Sequence, residues 1–385
     1  MKMKKLLSLV LVLIMALSLV ACGGGGKDAD TADGEEVYKL NFYHIFAGVG
    51  HEQEWINKAI AEVEEQSGGR LIINCIADGT MGGEDELIPQ VFAGTLDMSL
   101  SGPSVWGTNG GIDEIGWSEL PYVVTNYSEM NALGEILHEL TNKQLEAKNV
   151  DLYCLGAMSQ GIRCLCTIDG KKVDSMADAK GLKIRVPSSE VYESTVAAWG
   201  CSPTAMSSSQ VITSLANGTI DGFESDPASI TARGQQESFK YYHETYHIAS
   251  LNLLMINKSN LEALPEDLQT ILKDVFKQAC IDQCYDRVGA NEAEVDVMKE
   301  AGVEVVSYDE ATLQEFIDAA SAYQKEWVAE YGGEDIVAEA QAYVAENAKY
   351  FDLPDYYLTL FLSGGPSPGS PEIVFLILVN VLLKF

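Results

Sequence analysis

The stretches EDELIPQVFAGTLDMSLSG (84–102) and SSSQVITSLANGTIDGFES (207–225) read as one structural unit met twice. In each, apolar residues at helical spacing run up to a glycine, and a short strand follows. Gly94-Thr95-Leu96-Asp97 and Gly218-Thr219-Ile220-Asp221 differ by one conservative change at an offset of 124 residues. That offset is far too long for a solenoid repeat, so it predicts two similar α/β lobes. Asp97 and Asp221 hold the same place in their lobes, which points to structure rather than to a catalytic carboxylate pair.

Working outward, VYKLNFYHIF (37–46) alternates as a strand, and HEQEWINKAIAEVEEQSGGR (51–70) carries Trp55, Ile56, Ala59, Ile60 and Val63 at helical spacing before stopping at Gly68-Gly69. LIINCIAD (71–78) is the next strand. This βαβαβ order implies a parallel sheet covered by helices. LKIRVP (182–187) supplies the strand that precedes the second copy. The expected fold is α/β, with two α/β lobes around a ligand cleft. Its parts are a first lobe over 37–160, a second over 161–250, and a return strand with helices over 251–351 completing both. Late helical segments at 311–332 and 335–351 are candidates to pack across the lobes. Ligands in such sheets lie beyond the carboxyl ends of strands, which nominates 101–106 and 224–229 as corresponding cleft loops.

The first residues set the compartment. MKMKK is a basic start, LLSLVLVLIMALSL an apolar core, and Leu19-Val20-Ala21-Cys22 resembles a bacterial lipobox with Cys22 as the lipid-bearing residue. An ordinary secretory signal or N-terminal anchor is the alternative. Residues 23–36 read as a flexible tether. Residues 352–385 hold a linker and an apolar run, 373–383, shorter than the roughly 17–20 residues that span a bilayer; it reads as a truncated or misjoined end or a short interfacial segment. The chain of 385 residues has 57 acidic against 25 basic residues, a net charge of -32, which argues against nucleic acid as a partner. Seven cysteines follow Cys22. Their spacing is not that of a structural zinc site, and small core residues describe them best.

Two clusters carry chemistry. Arg185, among only five arginines, follows Ile184 at the end of a strand, and its planar fork matches a carboxylate as lysine cannot. Arg163 stands 22 residues upstream at the edge of another apolar run. The two form an anion site, or each pairs with a neighbour such as Asp169, Asp178 or Glu190. The competing cluster is HETYH (243–247), the H-E-x-x-H pattern of zinc peptidases, with His243 and His247 as ligands, Glu244 as base and Glu266 as a third ligand. Its setting runs into a strand, where Tyr242, Thr245 and Tyr246 favour extended structure, so two surface histidines are the plainer expectation. No nucleotide or nucleophile-elbow motif occurs, and nothing calls for a cofactor.

ADGTMGGEDELIPQVFAGTLDM, ELPYV, GLKIRVPSS, CSPTAMSSSQVITSLANGTIDGFES and INKSNLEALPEDLQTIL, in this order, resemble the DctP-type solute-binding proteins of tripartite ATP-independent periplasmic (TRAP) transporters. The resemblance covers roughly 37–351. It implies a non-enzymatic receptor that closes on a small organic acid and delivers it to a membrane permease, held to the membrane surface through lipid on Cys22. It assigns the bidentate carboxylate contact to Arg185 and a supporting role to Arg163. Where the family has asparagine before proline, this chain has Ser225-Asp226-Pro227. Either Ser225 replaces that amide, or a one-residue shift puts Asp226 there, where a carboxylate would repel a dicarboxylate and suit a ligand with an amine or hydroxyls. Ser101, Trp106, Ser208 and Phe223 are further lining candidates. A secreted zinc peptidase and a ligand sensor for a membrane kinase stand as alternatives.

Overall fold

The computed structural model describes residues 31–32 and 35–348; the signal segment, Cys22 and the apolar tail lie outside them. β1 (Tyr38–Tyr43), α1 (His51–Gln66), β2 (Leu71–Ile76), α2 (Glu84–Phe92) and β3 (Met98–Ser101) follow in the predicted order. α1 buries Ile56, Ala59 and Val63 against the sheet, and Gly68 and Gly69 take the positive φ that ends it. α3 (Pro103–Gly110) and α4 (Tyr127–Ala147) lead to a 16-residue strand, β4 (Leu152–Thr167). The second lobe then repeats the first with β5 (Lys183–Val186), α5 (Glu190–Ala198), β6 (Ser202–Ala205), α6 (Val211–Ala216), β7 (Gly222–Ser225) and α7 (Pro227–Ala232). β8 (Tyr241–Asn257) returns to the first lobe, followed by α8 (Lys258–Glu262), α9 (Glu266–Glu300), β9 (Glu304–Val306), α10 (Glu310–Tyr331) and α11 (Glu334–Asn347).

The sheet runs β2-β1-β3-β8-β4-β7-β5-β6, with β9 on β8. Both lobes therefore use the order second, first, third, and both follow their third strand with a helix opened by proline, Pro103 or Pro227. Pairing is parallel within each trio of strands, as predicted, but β4 and β8 run antiparallel to each other and to β7 and β3. The sheet is mixed because these two strands serve both lobes. β8 pairs with β9 through Tyr241–His243 and with β3 through Leu253–Ile256, and its register against β4 shifts three times along the way. Cuts at 160 and 250 thus fall inside β4 and β8. The element that packs across both lobes is the 35-residue α9, against α1, α7 and β4, rather than the late helices alone; α11 lies on α4.

The repeated aspartates tie each trio together. Asp97 accepts the Asn41 backbone N–H at 2.8 Å and the Asn260 side-chain amide at 2.8 Å, while Asp221 accepts the Lys183 N–H at 2.9 Å. Each carboxylate thereby joins the loop before a lobe's third strand to its first strand. All seven described cysteines are free thiols, six of them buried. Burial pushes Cys154, Cys164, Cys201 and Cys284 up to about 12, which keeps them unreactive.

Two outcomes follow. Asp97→Ala lowers stability in urea unfolding by about 2–3 kcal/mol through its charge-assisted bonds, and Asp221→Ala by less because Asp221 is more exposed. Thiol titration of native protein proceeds slowly and reaches its full extent only on unfolding, whereas rapid native labelling of more than Cys75 contradicts the burial of the other six.

Candidate functional site

Where the carboxyl ends of β3, β5 and β7 converge, a cavity opens between the lobes, about 560 Å³ including its mouth. Gly102 and Val105 line it from the first lobe; Arg185, Pro187, Ser225 and Ser229 line it from the second. A polar groove bounded by residues 82–86 and 205–210 adjoins it through Glu84 and Ser208.

Arg185 is 4% exposed, on β5 between Phe223 and Thr204 in register. Its Nε and Nη2 both donate to the Met206 carbonyl, at 2.9 and 2.6 Å. No carboxylate stands within ion-pair distance of it among the described residues. The neighbours offered by the sequence are engaged elsewhere: Asp178 accepts from Ser175, Glu190 from Tyr331, and Asp169 from Tyr241. Burial pushes the guanidinium down to about 10, with Arg163 and Arg233 adding to the effect and Glu224 and Glu84 opposing it. Arg185 is still charged at neutral pH, so the cavity holds a nearly dry cation satisfied by one carbonyl. Such a charge is costly until an anion meets it.

Arg163 sits close by but in the opposite electrostatic situation. Its Nε and Nη2 reach Glu224 at 2.5 and 2.8 Å, its Nη1 reaches Asp226 at 3.4 Å and Ser250 Oγ at 3.2 Å, and its guanidinium lies 5.0 Å from the Tyr192 ring centre. Burial alone would lower its pKa, but Glu224, Tyr192 and Asp226 together hold it above the ordinary value. Burial would likewise raise Glu224, but Arg163 and His247 hold that carboxyl at about 2. Arg163 lines the cavity with its charge already matched.

Of the remaining candidates, Phe223, Ser208 and Ser225 line the cavity. Asp226 does not: it is the N-cap of α7, accepting from Ser229 N at 2.8 Å, and spends its other oxygen on Arg163 and Ser229 Oγ. Ser225, two residues before Pro227, lines the cavity instead. Trp106 is also outside the lining, because the turn of α3 that presents Val105 to the cavity sends the indole into the core, where Nε1 donates to the Leu253 carbonyl at 3.1 Å. Ser101 is buried behind the wall and donates to Glu84, which does face the cavity.

Among the lining residues that the sequence reading did not nominate, four bear on the chemistry of the site. Arg233, at the end of α7, donates to the Ile45 carbonyl across the cleft, and its scarcity as an arginine was the available signal. Glu84 sits in the first turn of α2. Tyr192, on α5, crosses with its hydroxyl to Glu119 Oε1 at 2.5 Å, while Glu119 Oε2 accepts from Ser104 N at 2.8 Å and Oγ at 2.6 Å. Gly102 makes room for that carboxylate, since a Cβ there would meet it at 2.6 Å. Asn252 lies in mid-strand on β8, 5% exposed, with no partner for its Nδ2 among the described residues.

HETYH lies within β8, not on a helix, and the metal reading is corrected accordingly. The register shifts between His243 and Ile248 and Tyr246 takes φ 42°, so the two rings enter different surroundings. His243 meets Thr167 at 2.9 Å and Tyr308 at 3.2 Å, while His247 meets Thr245 at 2.9 Å and Glu224 at 3.3 Å. Both are buried rather than surface residues, and Glu266 opens α9. His247 Nε2 stands beside Glu224 and helps to hold that carboxylate ionised.

Comparison with known proteins gives the same assignment from a different direction. Residues 52–330 match the model for bacterial extracellular solute-binding protein, family 7 (DctP). A solute-binding protein of Roseobacter denitrificans is 30% identical over 230 residues, covering 59% of this chain and 67% of that one. The 2,3-diketo-L-gulonate-binding periplasmic protein of Escherichia coli is 28% identical over 247 residues, 64% of this chain and 74% of that one. In fold, a TRAP periplasmic solute-binding protein from Citrobacter koseri with bound D-glucuronate superposes with a TM-score of 0.70 at 24% identity, over 80% of this chain and 99% of that one. The chain belongs to the DctP family of bacterial extracellular solute-binding proteins.

Proposed function

We propose that this protein is the extracytoplasmic receptor of a TRAP-type secondary transporter, capturing a small carboxylate between its lobes and delivering it to the membrane permease. The observation that carries the reading is Arg185, a buried guanidinium in the interlobe cavity with no carboxylate partner among the described residues. A ligand carboxylate supplies the missing charge in a bidentate geometry. Arg163, neutralised by Glu224, orients the site rather than supplying its free charge. The names of the relatives support an organic acid: a diketogulonate binder in Escherichia coli and a dicarboxylate binder in Rhodobacter capsulatus. Known members of the family are binding receptors rather than enzymes.

Tyr192–Glu119 and Arg233–Ile45 join the lobes across the cleft, so they hold it shut over the ligand. Closure removes water from the ion pair and strengthens it. Lipid on Cys22, followed by the polar tether, keeps the receptor beside the permease. The sensor and peptidase alternatives have no observation in their favour.

A thermal-shift screen of organic acids on the purified protein identifies at least one carboxylate that raises its melting temperature. Arg185→Lys then weakens that ligand at least about 100-fold, because a lysine cannot reproduce the fork and a broken buried pair costs about 3–5 kcal/mol. A panel without any stabilising carboxylate, or an unchanged Kd in Arg185→Lys, refutes the receptor reading. Tyr192→Phe keeps the ring on Arg163 but deletes the bond to Glu119; it raises the ligand's dissociation rate about fivefold with little change in association. Cys22→Ala moves the protein from the membrane fraction to the soluble fraction, and continued membrane retention would remove the lipid from the account.

A further inference from the structure

α9 changes lobes along its length. Leu268, Leu272, Phe276 and Cys280 pack into the first-lobe core with Leu40 and Phe42, whereas Val295 and Met298 pack into the second-lobe core with Phe223. Between them Asn291 faces Gly161 of β4, which takes φ 121° and has no room for a side chain, since a Cβ there would stand 2.6 Å from Asn291 Oδ1. The register of β8 against β4 shifts beside this glycine, between Ser250 and Leu251. The crossing helix and the crossing strands meet at this level, where a bend moves the lobes as bodies.

Charges are buried there in unequal numbers. Arg287, fully enclosed, donates through Nη2 to Glu294 Oε2 at 2.5 Å, two turns along α9, and its Nη1 stands 3.6 Å from Glu52 Oε1 on α1. Arg287 Nε and Nη1 and Glu52 Oε1 have no hydrogen-bond partner among the described residues. Asp226, at the start of α7, lies within electrostatic reach of both Glu52 and Glu294, and it shares Arg163 with Glu224. Four carboxylates (Glu52, Asp226, Glu224 and Glu294) thus surround two guanidiniums. Other groups facing the cluster leave the imbalance in place. His51 of α1 meets Asp286 at 3.0 Å, and burial and Arg287 both push it towards the neutral form. Burial does the same to His247 and keeps the Tyr127 phenol of α4 protonated. Arg233, at the end of α7, donates to the Ile45 carbonyl across the cleft. Buried negative charge in excess is costly, and a proton is the simplest way to remove it.

We propose that closing the receptor is linked to a proton: Glu294 takes one from solvent as the lobes close around Arg287 and returns it as they open. Of the two carboxylates on Arg287, Glu294 is the more open, its side chain 19% exposed against 8% for Glu52. With the lobes apart Glu294 faces water and titrates near the ordinary carboxylate value, about 4.3. In the closed form burial pushes it up to about 7, with Arg287 opposing the rise and Asp226 and Glu52 adding to it. The closed form therefore holds the extra proton between those values. Its gain is complete at low pH and is lost as pH rises through the closed-form value. Proton linkage presumes the lobe motion of the receptor reading, yet it needs no ligand to be seen.

The test traps closure in ligand-free protein. Val49 and Ile212 are exposed on opposite lips of one groove at the cleft mouth. Val49→Cys and Ile212→Cys are combined with Cys22→Ala and Cys75→Ser, so that the remaining native thiols are the six buried ones. The rate at which a short bismaleimide joins the two new thiols reports the closed population, and comparing variants at one pH cancels the thiol chemistry. Glu294→Gln, a permanently neutral stand-in for the protonated acid, crosslinks faster than this parent at about pH 8, and its excess shrinks about tenfold by about pH 6. Glu294→Asp keeps a titrating group and gains on Glu294→Gln as pH falls, which a packing defect at this position would not produce. An excess that is equal at the two pH values, or absent at both, overturns the inference, and so does a parent that is never crosslinked. Carboxylate binding by Arg185 is decided by the thermal-shift screen whichever result is found.

Discussion

An unpaired guanidinium in a low-dielectric cavity is the constraint around which this molecule is organised. Taking a charge out of water costs several kcal/mol even after the surroundings relax. Arg163 meets that cost with Glu224, Asp226 and Ser250. Among the described residues Arg185 has only the Met206 carbonyl, contacted twice. Two arginines of one cavity thus differ in what meets their charge: Arg163 is matched by the chain itself, and under the proposed receptor function an incoming anion completes Arg185.

The scaffold explains how that state persists. Each lobe is a βαβαβ unit whose third strand ends at a proline-opened helix, and the two units face one another across β4 and β8. Because those strands cross from lobe to lobe, the position of Arg163 on β4 is fixed relative to both lobes. Asp226 and Glu119 then perform the same task on opposite sides, each presenting a carboxylate to the amino end of α7 or α3. In the second lobe the carboxylate is local. In the first it arrives from 15 residues downstream, over Gly102, and so becomes available to Tyr192 of the other lobe.

Much of this was legible in the residues. The 124-residue offset between the Gly-Thr-Leu-Asp and Gly-Thr-Ile-Asp segments is also the offset between β3 and β7, since helix stops and strand starts obey local chemistry. Arg185 stood out because a charge between Ile184 and Val186 needs a reason. The crossing strands were not legible as such: a strand serving two lobes looks like any apolar run, and only its length, 16 residues in β4, sets it apart. Side-chain direction was the other blind point. Trp106 and Val105 are neighbours on one helical turn, and sequence could not say which would face the ligand. Glu84, Tyr192 and Asn252 each suit an ordinary helix or strand, and their roles depend on partners far along the chain.

The central claim is that Arg185 binds a negative charge rather than a shape. Calorimetric comparison of the best-binding acid with its own carboxamide isolates that term, since the amide keeps the size and one acceptor oxygen but lacks the charge. The account predicts that the amide binds at least about 100-fold more weakly than the acid. An amide bound as tightly as the acid would mean that Arg185 does not await an anion, and would contradict the account.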